Sequence, residues 1–178
     1  MLSNETNADN KHNYSCFRTT LASRLQNSLT EPWLRFSIDD LIESMPDAML
    51  KEDSGMKFGE DGSVRPGTEF QELESAWMYG IGEIARRGAR IIIDDIFLNG
   101  VEARKRWEGC LEGLQVLWVG VFCDPVVAAA REKERGDRIE GMAVSQAFIV
   151  HKGMNYDVTV DTSKSSAEEC IRLIKQKV

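Results

Sequence analysis

Apolar and polar positions alternate between two periods along the chain. Leu34, Phe36 and Ile38 alternate with Arg35 and Ser37, and the run closes on Asp39, which predicts a short strand ending in an acid. Asp39–Met45 reads as one or two helical turns stopped by Pro46, and Asp47–Pro66 is a polar loop or hairpin with Gly55, Gly59 and Gly62. Thr68 and Gln71 make a capping box for a helix whose stripe is Phe70, Leu73, Trp77, Ile81 and Ile84, with Gly88 suited to its C-terminal cap. Ala89–Ile93 is a buried strand running into Asp94 and Asp95, and a helix follows around Val101–Leu111. Gln115–Cys123 is a further apolar strand, and Asp124-Pro125 opens a helix with Asp at the N-cap and Pro at its first position. Met142–Val150 reads as helix and Tyr156–Val160 as the last strand. Ser165 with Glu168 caps a final helix through Ile171 and Ile174.

Strands that are apolar throughout and alternate with helices imply an α/β fold, a parallel sheet flanked by helices on both faces. Such sheets bind ligands at the carboxyl ends of their strands. Asp39, Asp94, Asp95, Asp124 and Asp161 all fall at predicted strand ends, where a carboxylate can hold a cation or take a proton. Asp124, just before Pro125, reads as a helix cap; Asp161 is open between the two roles.

The 178 residues suit a single domain across 1–178, large enough to fold without disulfides or metal. The net charge of -7 argues against nucleic acid or an anionic membrane surface as main partner. Cys16, Cys110, Cys123 and Cys170 form no CxxC unit, and reduced thiols in a cytoplasmic protein are the expectation. No stretch of 18 apolar residues is present, and Met1–Asn13 lacks the apolar core of a secretory signal. The densest basic cluster is Arg131, Arg135 and Arg138, within 131–142. Three guanidinium groups at this spacing can converge on a polyanion as a lid, or lie on a solvated helix face beside Glu132 and Glu134.

Several segments together carry a family likeness: Glu31-Pro-Trp-Leu-Arg-Phe-Ser-Ile-Asp39-Asp-Leu-Ile-Glu-Ser-Met-Pro46, Gly88-Ala-Arg-Ile-Ile-Ile-Asp-Asp95, Val116-Leu-Trp-Val-Gly-Val121, Arg135-Gly-Asp-Arg138 with Gly141-Met142-Ala143, Val150-His151 and Tyr156-Asp-Val158. From about Arg18 onward the chain resembles the chloramphenicol phosphotransferases. The resemblance implies a P-loop kinase-like three-layer sandwich. The implied activity is transfer of the ATP γ-phosphate, with Mg²⁺, to a primary hydroxyl of a chloramphenicol-like alcohol. It makes Asp39 the general base, Arg135 and Arg138 catalytic lid arginines, and Arg18, Thr19 and Arg131 cofactor-binding. Thr19 and Asp94 become metal ligands, and Asp95 and Trp77 substrate contacts, although Trp77 also suits the core. His151 receives no role beyond packing, and homo-oligomerisation is left open.

The likeness breaks at the start of the chain. A P-loop kinase opens with an apolar strand, then G-x-x-x-x-G-K-[ST], then a helix. Here Phe17-Arg18-Thr19 stands where Gly-Lys-[Ser/Thr] belongs, no glycine precedes Gly55, and Ser3–Lys11 has Ala8 as its only apolar residue. Three explanations compete: an altered N-terminus, a degenerate relative that binds ATP poorly, or an unusual loop in which Arg18 and Thr19 serve. Residues 1–16 are expected to be poorly ordered or a weak strand.

Overall fold

A computed structural model of the chain describes residues 17–49, 55–58, 64–97, 99–135 and 150–178. The expectations for residues 1–16, for the 142–150 helix apart from Val150, and for Arg138 fall outside these residues. The elements, in chain order, are α1 (Phe17–Ser28), β1 (Trp33–Ser37), α2 (Ile38–Glu43), β2 (Met56–Phe58), β3 (Val64–Pro66), α3 (Thr68–Arg86), β4 (Arg90–Asp94), α4 (Val101–Cys110), β5 (Val119–Phe122), α5 (Pro125–Arg135), β6 (Val158–Asp161) and α6 (Ala167–Lys175).

β1 runs parallel to β4, from Trp33 opposite Arg90 to Ser37 opposite Asp94. β5 runs parallel to β6, from Val119 opposite Val158 to Phe122 opposite Asp161. β2 and β3 form a small antiparallel hairpin inside the segment read as a polar loop. The protein is thus α/β, with parallel strands and intervening helices. The one continuous sheet expected from the sequence is divided, among the described residues, into these separate pairs.

Alternation along β4 sets the layers. Ile92 packs with the cluster of Leu21, Leu25, Val160, Cys170, Ile171 and Ile174, from α1, β6 and α6. Ile91 and Ile93 point the other way, into Met78, Ile81, Trp107 and Cys110 of α3 and α4. Successive side chains of a strand face opposite sides, so β4 is covered on both. A third cluster, Leu41, Met45 and Phe70, seats α2 on the start of α3.

Helix ends depart from the sequence reading in instructive ways. Strand β1 stops at Ser37, one residue short of the predicted Ile38, because Ser37 caps α2. Its Oγ accepts the Asp39 N–H at 3.0 Å, and the Asp40 carboxylate accepts the Ser37 N–H at 2.7 Å. At α3 the N-cap is Gly67 rather than Thr68: the Gly67 carbonyl takes the first helical bond, from Gln71 N–H, while the Gln71 side chain donates to Pro66 O. The α3 stripe is also rotated. Phe70, Met78, Ile81 and Gly82 are buried, whereas Leu73 and Ile84 are 44% and 37% exposed. Gly82 explains the rotation: a Cβ there would lie 2.4 Å from the Cys110 carbonyl, so its bareness lets α4 approach. At the far end of α3, Gly88 adopts φ +94°, with Gly88 N–H on Ala85 O and Ala89 N–H on Ile84 O, the expected glycine C-cap. The last helix begins one residue later than predicted. Ser166 Oγ accepts the Glu169 N–H, and the Ser165 N–H bonds Asp161 O in the turn before it. Strand β5 is shorter than Gln115–Cys123 because its ladder starts only where Val158 becomes available; Trp118 instead bonds Asp157, through its N–H to the carboxylate and its carbonyl to the Asp157 N–H.

Candidate functional site

Two clusters of polar side chains sit at strand ends. The first is at the β1–β4 pair. Ser37 and Asp94 are register partners at the last rung, both buried, at 2% and 3% exposure. Asp39 follows Ser37 by two residues. It lies in the first turn of α2 rather than on the strand, which corrects the sequence placement and has a physical benefit: the helix N-terminus favours a carboxylate there. Ser37 was missed as a site-forming residue, although the S-x-x-D spacing of Ser37 and Asp40 was legible.

Asp95, next to Asp94, is an anchor within the protein. Its Oδ1 accepts the Ile96 N–H at 2.6 Å and its Oδ2 accepts the Trp107 indole N–H at 2.8 Å. Trp107 is fully buried, and half-buried Trp77 meets it edge-on at 5.8 Å, joining the α2 cluster to the α3–α4 cluster. Asp95 and Trp77, both expected at the acceptor, are therefore joined to each other through Trp107.

The second cluster is at the β5–β6 pair. Arg131 of α5 reaches back across the strand ends: one guanidinium nitrogen donates to Thr162 O at 2.9 Å, the other to Thr162 Oγ1 at 3.4 Å and Cys123 Sγ at 3.5 Å. Thr162 Oγ1 in turn donates to Phe122 O at 3.0 Å. Thr162 escaped the sequence reading, and no motif marks it. Asp161 resolves as a turn acid: it accepts from the backbone N–H and hydroxyl of Ser163 and pairs with Lys164, and these hold its carboxyl down to about 2. Asp124 caps α5 as expected, accepting the Val126 N–H at 2.8 Å. Beside this cluster, His151 stacks on Phe122 with centroids 3.9 Å apart and bonds the Tyr156 hydroxyl through Nδ1 at 2.7 Å. Burial pulls its pKa below the ordinary imidazole range, against a weaker opposing push from a hydrogen bond to the Val121 backbone.

Helix α5 carries Arg135 as its last residue, but the Arg135 side chain and all of Arg138 lie outside the description, as do the side chains of Arg18 and Thr19 in α1. Cys110, Cys123 and Cys170 are free thiols. Among the described residues no three His, Cys, Asp or Glu side chains group to hold a metal, and no helix is long and apolar enough to cross a membrane. The described glycines with positive φ are Gly88, Gly100, Gly113 and Gly153, none of them near the start of α1, and the sequence has no glycine before Gly55. The chain's residues therefore do not fit a glycine-lined phosphate cradle at that helix.

Parallel strand pairs, helices on both faces of β4 and acids at the carboxyl end of β1–β4 define an α/β protein, an architecture consistent with a kinase-like fold. The family described as chloramphenicol phosphotransferase-like protein matches residues 13–178, and the chain belongs to that family. No match was found among curated proteins.

Proposed function

We propose that the chain is an O-phosphotransferase of small alcohols, acting on a primary hydroxyl of a chloramphenicol-like acceptor with ATP and Mg²⁺ as the family's donor pair. The observation that carries this reading is the position of Asp39, held by the Ser37 cap at the carboxyl end of β1 with buried Asp94 on the neighbouring strand. An alcohol is a weak nucleophile, and a fixed carboxylate within hydrogen-bond reach is the group that takes up its proton. Asp94 supplies a second acid at the same edge, suited to a hydrated cation. Arg135 and Arg138 are proposed as the lid that balances phosphate charge.

The test is transfer of labelled γ-phosphate from ATP to chloramphenicol, with other small alcohols as competitors. Transfer that depends on Asp39, with Asp39→Asn lowering it at least about 100-fold, supports the reading. Transfer by Asp39→Asn at the wild-type rate removes Asp39 from the mechanism.

The missing glycine cradle favours a second reading, a relative that binds the acceptor without catalysis. Calorimetry separates the two: heat with the acceptor and none with Mg-ATP supports the binding protein, whereas heat with both supports the transferase.

A further inference from the structure

Helix α3 buries one face, through Phe70, Met78, Ile81 and Gly82, and carries a second seam on the opposite side. That seam is Glu69, Leu73, Ala76, Gly80 and Ile84, with Arg87 at the C-cap. Steps of three and four residues place all of them on one side of a helix. All are exposed, Leu73 by 44% and Ile84 by 37%. Single apolar residues on a surface are ordinary, whereas these line up along a 19-residue helix, about 28 Å long. The middle of the seam is bare for no reason internal to the chain. A Cβ on Gly82 would lie 2.4 Å from the Cys110 carbonyl, so the fold demands that glycine. A Cβ on Gly80 would meet nothing within 4 Å among the described residues, and a glycine inside a helix weakens it. Its absent side chain serves a close approach from outside.

The seam has the same order read in either direction. It opens on an acid, Glu69, and closes on a base, Arg87; Leu73 and Ile84 stand inward of these, and Ala76 and Gly80 lie between. A second α3 laid antiparallel sets Glu69 opposite the partner's Arg87, Leu73 opposite the partner's Ile84 and Ala76 opposite the partner's Gly80. Each pair then occurs twice about a two-fold axis, as a self-complementary contact requires. The small residues let the backbones come close, and antiparallel helix dipoles attract. Arg87 Nε bonds Glu83 at 2.8 Å while its side chain stays 82% exposed, so its guanidinium can bridge Glu83 and the partner's Glu69. We propose that the chain forms a reversible two-fold dimer through this seam, with the α3 helices antiparallel and crossing at Ala76 and Gly80. Charge order along the seam selects a second copy of this chain as the occupant.

The test is sedimentation equilibrium of the full chain across the micromolar range, where a dimer is expected. Gly80→Gln adds a side chain that the single chain has room for. Its Tm is expected to hold or rise, while dimerisation weakens at least about tenfold. Glu69→Arg and Arg87→Glu each place like charges at both ends of the seam, and each is expected to weaken self-association roughly tenfold. Mixed in equal amounts, these two variants regain opposite charges at both ends and are expected to form a heterodimer near the wild-type affinity. A wild-type chain that stays monomeric across the range overturns the proposal. A dimer that Gly80→Gln leaves intact also overturns it, because the contact would then lie elsewhere. Failure of the two charge variants to recombine overturns the antiparallel pairing, and the proposal with it.

Discussion

The Asp95 carboxylate accepts the indole N–H of Trp107 at 2.8 Å, tying the loop after β4 to the centre of α4. Trp107 is 2% exposed, and the Asp95 carboxylate is the acceptor its indole N–H meets in the fold. Asp95→Ala is expected to cost about 1–3 kcal/mol, the cost of stranding a buried donor. Trp107→Phe costs about as much through lost volume and lost bond. The double variant is expected to fall short of the sum of the singles by about 0.5–3 kcal/mol in a urea-denaturation cycle. Strict additivity would show that the bond contributes nothing.

Ser37 is expected to matter for stability and Asp39 for chemistry. Ser37→Ala removes the acceptor for the Asp39 N–H and costs about 0.5–2 kcal/mol. Asp39→Asn keeps the helix start and is expected to leave the unfolding free energy from urea melts within about 0.5 kcal/mol of wild type. A large loss of stability in Asp39→Asn would mean that its carboxylate serves the fold.

The period of the apolar residues revealed β1, β4, β5 and β6 as strands and the helices between them, because each buries a continuous face. Caps were harder. Thr68–Gln71 and Ser165–Glu168 have the letters of capping boxes, yet the N-caps are Gly67 and Ser166: the Gln71 N–H bonds the Gly67 carbonyl, and the Ser165 N–H bonds the Asp161 carbonyl. Ser37–Asp40 has the same letters and is a true box, hidden by the apolar alternation through Ile38. The α3 stripe failed at Gly82, a core position with no side chain to announce it. Of the candidate site, the acids at the ends of β4 and β6 were legible from position. What each does was not, since the partners Trp107, Thr162 and Ser163 are brought in by packing across the chain.

Gly120 is the close-approach position in β5. A Cβ there would lie 2.6 Å from the Tyr156 ring, which also meets Phe122 and His151 edge-on. The ring cannot retreat without opening that cluster. Gly120→Ala is expected to lower stability by about 1–3 kcal/mol. Tyr156→Ala in the same background is expected to recover the clash while losing the ring's own packing, so the double variant should lie well above the additive value. Denaturant melts of the four proteins decide it.

Stability is expected to fall in two steps on acidification. His151 is half-buried against Phe122 and its folded pKa is below 6.5, so its contribution is complete above pH 6.5 and is lost as the pH falls through the folded value. Asp161 has its carboxyl held to about 2 against an ordinary 3.8, first by the Ser163 hydroxyl and then by Lys164. Its contribution is present above about pH 4 and is lost toward pH 2. In urea melts between pH 7.5 and 5, His151→Gln is expected to flatten the first step and leave the second; an unchanged pH profile would place the first step elsewhere.

Arg131 gives the sharpest contrast between a ligand-binding and a fold-holding arginine. Its guanidinium bonds the Thr162 carbonyl at 2.9 Å and reaches Thr162 Oγ1 and Cys123 Sγ, so it joins α5 to the ends of β5 and β6. A lysine has the charge but not the planar fork, and meets one of these acceptors at a time. Arg131→Lys is therefore expected to cost about 1–2 kcal/mol of stability. Thr162→Val, which keeps the carbonyl and loses the hydroxyl, is expected to cost about 1 kcal/mol and to couple to it. If Arg131 instead serves a bound nucleotide, Arg131→Lys leaves the melt unchanged and weakens Mg-ATP binding in calorimetry. The two measurements move in opposite ways under the two roles, so one pair of variants assigns the residue.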